Sequence, residues 1–215
     1  ALLAACASLP ENNQQVPSYA LEETDNTTLG QSIPPLINTT SNDQSNILLL
    51  PNGVDAFVAR AAIARLAERS LDIQYYLYHS DLSGTLLSAE LYKAAERGVR
   101  VRILLDDMGI FGKDKQLAIF NAHENIEIRL FNPFIRGKSQ GSQFITGFGS
   151  VTRRAHNKAM IADNQFSIIG GRNIGDIYFA YGDGVAFIDL DVLAVGHAAV
   201  DVSENFDAYW TSGSS

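Results

Sequence analysis

His156 and Lys158 lie two residues apart, and together they could attack a phosphate ester. An imidazole is a nucleophile, and an ammonium beside it can hold the phosphate oxygens while the histidine bonds to phosphorus. Asp163, a glycine pair at 170–171 and Asn173 follow them along the chain. Glycines let backbone approach closely, and the asparagine adds an amide donor. The pattern therefore predicts a catalytic site for an anionic substrate.

The residues around this pattern predict a β-hairpin. In the stretch 153–171, polar and apolar residues alternate until Asp163-Asn164, after which an apolar run follows. Side chains two positions apart on a strand share a face, so His156 and Lys158 should point the same way. The alternative is a hairpin whose His and Lys only face solvent. The further elements in register favour a site.

The rest of the chain alternates between helical and strand patterns. Helices are predicted over 54–70, 83–98, 113–124 and 197–212, and strands over 71–78, 99–107, 126–132 and 189–196. Ser83 is expected to cap the second of these helices and Gly98 to end it. Strands interleaved with helices predict an α/β fold, with a mixed β-sheet sandwiched by helices.

The quoted residues resemble a known family. "RRAHNKAMIADNQFSIIGGRN" is similar to the HKD motif of the phospholipase D superfamily, and "FIDLDVLAVG" further on extends the similarity to bacterial cardiolipin synthases of the C type. The upstream stretch "LDIQYYLYHSDLSGTLLSAELYKAAERGVRVRILLDDMG" resembles the opening strand, helix and strand of that family. The resemblance runs from about Leu50 to Trp210 and implies the phospholipase D-like α/β/α fold.

The resemblance also implies roles for the motif residues. His156 would attack a phospholipid phosphodiester and form a phosphohistidine, while Lys158 and Asn173 stabilise the charge on phosphorus. An alcohol, or water, would then resolve the intermediate. Asp163 would support the site structurally and also begin the hairpin turn.

Further site residues are expected nearby. In the family an acidic residue hydrogen-bonds the nucleophilic histidine and fixes its tautomer, and Asp189 is favoured over Asp191 for this role. A strand-edge charge is the alternative for Asp189. Gly171, Arg172 and Tyr76 are expected to bind substrate, although Tyr76 could instead be a core or surface aromatic residue.

Enzymes of this family assemble two HKD motifs, so that a second histidine protonates the leaving alcohol. Only one such motif occurs in these 215 residues. We therefore expect either the first half of a two-motif enzyme or a pair of identical chains that builds the site together.

Composition limits the possible functions. The net charge of −8 argues against broad nucleic-acid binding, which requires a basic surface. Arg153, Arg154, Lys158 and Arg172 nonetheless concentrate positive charge near the motif, which favours a local anion pocket over solvated strand-end charges. The four histidines and one cysteine have no metal-ligand spacing, so no metal and no cofactor are expected.

The amino terminus predicts attachment to a membrane. Leu3-Ala4-Ala5-Cys6 resembles a bacterial lipobox, in which the cysteine is lipidated, although a chance match is the alternative. Residues 1–46 are therefore expected to comprise a truncated lipoprotein signal followed by a polar linker, and residues 47–215 a phospholipase D-like domain. The enzyme would be lipid-anchored at a bacterial membrane, facing the periplasm.

The expected function is phosphatidyl transfer of the cardiolipin-synthase type, from a donor such as phosphatidylethanolamine or phosphatidylglycerol. Hydrolysis to phosphatidic acid is an alternative. A second alternative is a dimeric phosphodiesterase that cleaves nucleic acid, which the acidic composition disfavours. A third is an inert membrane-tethered binding module.

Lipidation of Cys6 can be tested directly. Mass spectrometry of native protein extracted from membranes is expected to show an acylated amino-terminal peptide beginning at Cys6, because the lipobox precedes a polar tract. An unmodified Cys6 inside a longer, unprocessed chain would contradict this prediction.

Overall fold

The computed structural model describes residues 16–34, 36, 44–110, 112–135, 137, 141–143, 154–182 and 187–213. Within these residues, seven strands form one mixed sheet in the order β1-β7-β6-β5-β2-β3-β4. The strands are β1 Ser45–Leu50, β2 Ser70–Tyr75, β3 Arg100–Asp106, β4 Ile126–Phe131, β5 Ala159–Ala162, β6 Phe166–Gly170 and β7 Asp191–Gly196. Strands β2, β3 and β4 are parallel to one another, and every other pairing is antiparallel.

Helices cover both faces of the sheet, which confirms the predicted α/β sandwich. They are α1 Thr28–Ser32, α2 Gly53–Leu66, α3 Leu82–Glu96, α4 Asp107–Ile110, α5 Asp114–Phe120 and α6 His197–Trp210, with a 3₁₀ turn at Asp176–Tyr178. In the described part of the chain, no helix has the length and apolar character that a bilayer crossing requires.

Strand β2 lies in the middle of the sheet, and its two faces differ. Leu71, Ile73 and Tyr75 point into the main apolar core, which α2 and α3 help to form. Because side chains alternate along a strand, Asp72 and Gln74 point to the other face. All five are at most 2% exposed, so the second face of the sheet buries polar groups that need partners.

On that second face, Arg102 of β3 is the partner of Asp72 and connects it to α6. Arg102 forms ion pairs with Asp72 at 2.6 Å and with Asp207 of α6 at 2.8 Å. Its guanidinium also lies over the rings of Phe206 and Trp210, at 4.9 and 5.4 Å from their centroids. The buried cation is thus both neutralised and covered by aromatic rings, and α6 is held on the sheet.

The prediction that residues 1–46 are only a signal and a polar linker is wrong for the stretch 16–33. Leu29 and Ile33, four residues apart on one side of α1, are buried in the main core at 3% and 6% exposure. This helix has only five residues, which is too short to show helical periodicity within a polar sequence. The linker prediction also ends too late, since β1 begins at Ser45.

The same stretch is held by polar contacts to the second face. The Ser18 carbonyl accepts a hydrogen bond from Arg102 at 2.7 Å, and its hydroxyl accepts one from the indole N–H of Trp210 at 2.9 Å. Cys6 and its lipobox lie outside the described residues.

The start of α3 differs from the prediction. The N-cap is Asp81 rather than Ser83, and its Oδ1 accepts the Gly84 N–H at 3.1 Å. The predicted stop is confirmed, because Gly98 has a φ of 90°, which glycine adopts without strain.

The burial of Leu29 leads to a prediction about the free energy of unfolding. Leu29→Ala should lower the free energy of unfolding by about 2–5 kcal/mol, since it empties a space in the main core. Urea denaturation followed by circular dichroism measures this change. Leu36→Ala is the matched control, because Leu36 is 44% exposed, and it should cost less than about 0.5 kcal/mol. If the two substitutions lower the free energy of unfolding equally, α1 is a solvated tether and not part of the core.

Candidate active site

The predicted hairpin is present as β5 and β6, joined at Asp163-Asn164. Both residues have positive φ, 53° and 54°, and the Gln165 N–H donates to the Ala162 carbonyl at 3.0 Å to close the turn. The predicted catalytic pair, however, precedes the hairpin. His156 and Lys158 lie in the extended segment 154–158, and β5 begins only at Ala159.

His156 and Lys158 are in direct contact. Lys158 Nζ lies 3.1 Å from His156 Nδ1 and donates a hydrogen bond to the His156 carbonyl at 2.7 Å. Their exposure is opposite, since His156 is exposed whereas Lys158 is only 6% exposed. The site therefore presents an imidazole to solvent with an ammonium group held beneath it.

An aromatic ring completes this arrangement. The ring of Tyr76, in the loop directly after β2, packs against His156 at 4.8 Å between centroids. Lys158 Nζ lies 5.9 Å from the centre of the same ring. Burial lowers the pKa of Lys158, although the charges of Asp189 and Asp191 oppose that shift.

Asp163 anchors the hairpin to the sheet. It is fully buried, and its carboxylate accepts backbone N–H groups of Glu68 at 3.0 Å, Arg69 at 2.8 Å and Ser70 at 2.9 Å. These donors are at the start of β2, so the motif aspartate connects the turn to the central strand. No part of its carboxylate faces open space.

Asn173 connects the other end of the motif to the loop after β2. Its Oδ1 accepts the Leu77 N–H at 3.0 Å, and the residue is 4% exposed. Since the oxygen is occupied, the amide nitrogen is the group left to donate, and it has no partner among the described residues.

The glycine pair lets β6 approach the start of β7. A Cβ at Gly170 would collide with the carboxylate of Asp191, and one at Gly171 would collide with that of Asp189. The close approach expected from the sequence is therefore made to the protein's own carboxylates. Gly171 also donates its N–H to the Leu190 carbonyl at 3.1 Å.

The comparison with known proteins identifies the family. The model of the family described as cardiolipin synthase, PLD-like domain, matches residues 61–210. The chain belongs to this PLD-like family. The match includes all the site residues discussed above, from Tyr76 to Asp191.

The relatives include cardiolipin synthases. Cardiolipin synthase C of Escherichia coli K12 is 46% identical over 167 residues, which are 78% of this chain and 35% of that protein. An uncharacterized protein of Helicobacter pylori 26695 is 42% identical over 170 residues, 78% of this chain and 34% of the relative. The chain thus spans about a third of the length of these relatives.

Solved structures share the fold. The phospholipase D family member Nuc of Salmonella typhimurium has a TM-score of 0.54 at 19% identity, over 78% of this chain and 93% of Nuc. The phosphatidylserine synthase of Haemophilus influenzae has a TM-score of 0.55 at 14% identity, over 82% of this chain and 38% of the synthase. At these identities the likeness concerns the fold of the PLD-like domain.

One residue of the PLD-like motif is placed differently from the prediction. Arg172 was expected to bind substrate, but it is 2% exposed and faces inward. Its guanidinium donates to the carbonyls of Leu50, Pro51 and Tyr178, and it lies 3.5 Å from Asp191. These partners occupy the guanidinium, so we assign Arg172 to the internal structure of the domain.

Asp189 and Asp191, the two candidates for the acidic residue that bonds to His156, have different surroundings. Asp191 is completely buried, pairs with Arg60 at 2.9 Å and accepts the Arg172 N–H at 3.2 Å. Asp189 is half-buried beside Gly171, just before β7 begins. Within the described residues, the hydrogen-bond partner of the His156 ring is Lys158, and neither Asp189 nor Asp191 bonds to that ring.

The sequence interpretation missed Asp106, the last residue of β3. Its carboxylate accepts the Ala155 N–H at 3.0 Å and pairs with Arg154 at 3.2 Å. It therefore fixes the backbone directly before His156. Burial raises the pKa of Asp106, while hydrogen bonds from Met108 and Ala155 and the charge of Arg154 oppose the shift.

Asp176 was also missed. Its Oδ1 accepts the Ser83 N–H at 2.7 Å, and its own N–H donates to Asp81 at 2.7 Å, so the chain after the motif caps α3. An acidic residue shortly after Gly-Gly-x-Asn was the available signal. In the described part of the chain, no three His, Cys, Asp or Glu side chains are grouped as a metal site requires.

The burial of Asp163 generates a prediction. Asp163→Asn keeps the side-chain shape and tolerates positive φ, but it replaces one acceptor oxygen with an NH₂ group that cannot accept from a backbone N–H. The free energy of unfolding should fall by about 1–3 kcal/mol in urea denaturation. Asp201→Asn, at a side chain 65% exposed, is the matched control and should stay within about 0.5 kcal/mol. A loss no larger than the control's would show that the anchor is unimportant.

Proposed function

We propose that the protein is a phosphatidyltransferase of the cardiolipin-synthase type that forms a phosphohistidine at His156. The observation that carries the proposal is the contact between exposed His156 and buried Lys158, 3.1 Å apart, within the PLD-like motif. A nucleophile open to solvent and a cation held beside it match the attack of a nitrogen on a phosphodiester. The likeness to E. coli cardiolipin synthase C supports this substrate class.

The tautomer of His156 has to change before attack. An ammonium group only donates, so Lys158 donates to Nδ1, and a neutral imidazole then carries its proton on Nε2. When Lys158 turns to the phosphate oxygens of a substrate, Nδ1 is free to hold the proton and Nε2 gains a lone pair. For Asp189 to keep this tautomer, its carboxylate must move from beside Gly171 to accept the Nδ1 proton as a hydrogen bond.

The reaction then proceeds in two displacements. The Nε2–phosphorus bond forms while the bond from phosphorus to the first alcohol oxygen breaks, and an acid protonates that oxygen. A second alcohol then attacks phosphorus and gives its proton to that same group, now the conjugate base, while the nitrogen–phosphorus bond breaks and His156 is released. Lys158 and the amide nitrogen of Asn173 stabilise the negative charge in both steps. With phosphatidylglycerol or phosphatidylethanolamine as donor and a lipid hydroxyl as acceptor, the product is a phosphatidyl ester; with water it is phosphatidic acid.

The acid for the leaving alcohol comes from a second motif, either in another part of the protein or in a second copy of the chain. The other histidines are engaged elsewhere: His123 lies 3.4 Å from Glu96, and His197 lies 3.4 Å from Asp201. His79 packs against Tyr178. The relatives, about three times as long as the matched region, leave room for such a second half.

Membrane association follows from the same proposal. The substrate is a membrane lipid, and Cys6 is proposed to hold the enzyme at the bilayer surface, on the periplasmic side, through its lipid.

The role of His156 makes the central prediction. His156→Ala should lower phosphatidyl transfer by about 10⁴-fold or more in the protein with both motifs, and it should abolish trapping of labelled phosphate on the chain. After reaction with a phosphate-labelled phospholipid, analysis of the extracted lipids measures transfer, and the label that stays on the protein at alkaline pH measures trapping, because an N–P bond is hydrolysed in acid. His123→Ala, a histidine at the far edge of the sheet, is the matched control and should retain activity within about twofold. Trapping that persists in His156→Ala would remove this assignment.

The need for a second motif makes another prediction. The 215-residue chain alone should show little turnover of phospholipid when sedimentation finds it monomeric, because nothing protonates the leaving alcohol. Adding a motif-bearing second half, or self-association at higher concentration, should restore turnover. Robust activity of a strictly monomeric chain would refute the two-motif requirement.

A further inference from the structure

A cavity of about 270 Å³ lies between α3, α5 and the strands β3 and β4. Most of its wall is apolar, and neither His156 nor Lys158 lines it. The apolar lining residues are Leu91, Ile103, Leu105, Ile110, Leu117 and Phe120.

A second cavity, of about 230 Å³, runs along the opposite flank of α5. Leu117 and Ile128 line both spaces. Helix α5 has no buried residue, and its Leu117 and Phe120 are only partly covered. The helix therefore has a largely apolar space on each of two flanks.

Polar groups enter the first cavity from the loop after β2 and from the early turns of α3. Lys113 Nζ donates to the Tyr78 carbonyl at 3.1 Å, its one partner among the described residues. The Tyr78 hydroxyl is bonded to Ser88 Oγ at 2.9 Å. The space thus combines a polar entrance containing one ammonium with a long apolar interior, which suits an amphipathic chain.

This entrance lies next to the catalytic residues. In the four-residue helix α4, Met108 Sδ accepts the Tyr76 hydroxyl at 2.9 Å, whereas Ile110 lines the cavity. The Tyr76 ring in turn packs on His156 at 4.8 Å. One short helix therefore separates the attacking imidazole from the apolar space.

We propose that the space beneath α5 binds one acyl chain of the phospholipid whose phosphodiester faces His156. Lys113 is the one ammonium in the lining of the first cavity, and the largely apolar remainder disfavours a sugar or a polyanion and fits a hydrocarbon chain. Lys113 is placed to donate to an ester carbonyl where the chain leaves the cavity. The inference rests on the proposed function and names where that substrate's tail lies.

The test fills part of the space. Leu117→Trp should weaken binding of the fluorescent probe dansylaminoundecanoic acid at least tenfold, because Leu117 lines the cavity and the larger indole occupies volume beside it. Leu117→Ala, which leaves that volume open, should bind within about threefold of the unchanged protein and shows whether position 117 tolerates substitution. Ile119→Trp is the matched control on the same helix, since Ile119 is 76% exposed, and it should bind normally. Dioctanoyl phosphatidylglycerol should displace the probe.

Activity measurements separate this inference from the proposed function. In the protein with both motifs, Leu117→Trp should lower turnover of dipalmitoyl phosphatidylglycerol about tenfold, yet leave hydrolysis of bis(p-nitrophenyl) phosphate within twofold, because that diester has no acyl chain. Normal probe binding by Leu117→Trp, or failure of the phospholipid to displace the probe, would overturn the acyl-chain site. If the acyl-chain site is overturned in this way but His156→Ala still loses both phospholipid turnover and diester hydrolysis, the proposed function stands.

Discussion

Arg60 and Arg172 are both buried beneath the site, and neither could remain there without the carboxylate of Asp191 between them. Arg60 belongs to α2 and also donates to the Tyr75 hydroxyl at the end of β2, at 2.9 Å. Asp191 begins β7, and Arg172 follows β6. A single negative charge thus joins α2, strand β2 and the ends of β6 and β7. Removing one partner of such a buried pair typically costs about 3–5 kcal/mol, since a charge is left without compensation.

The predicted catalytic pair is divided between protein and solvent. Lys158 is surrounded by protein, and the charges of Asp189 and Asp191 act on its ammonium group. His156 is exposed, and one side of its ring packs on Tyr76. A lysine in water would be hydrated and mobile, but this one keeps its ammonium within hydrogen-bond distance of the imidazole. Such preorganisation lowers the cost of arranging charge during phosphoryl transfer.

Most of the fold could be predicted from the sequence because its signals are local. The hairpin turn at Asp163-Asn164 and the end of α3 at Gly98 depend on residues a few positions away. The burial of Leu29 in the core and the inward direction of Arg172 could not be predicted, since their partners are distant in the chain. Motif spacing predicted that His156 and Lys158 lie together, but not that the first is exposed and the second buried.

Because β5 runs antiparallel to β2, its first residue lies at the edge of the sheet where the parallel strands β2 and β3 end. Strand β4 is parallel to β3 and ends at the same edge. The long connection from β4 to β5 therefore begins and ends at this edge of the sheet. Arg154 donates to the Asn132 carbonyl at 2.9 Å and pairs with Asp106. The entropy of closing a loop rises only slowly with its length. A change in the length of this connection should therefore cost little free energy, as long as the contacts of Arg154 hold the backbone before His156 in place.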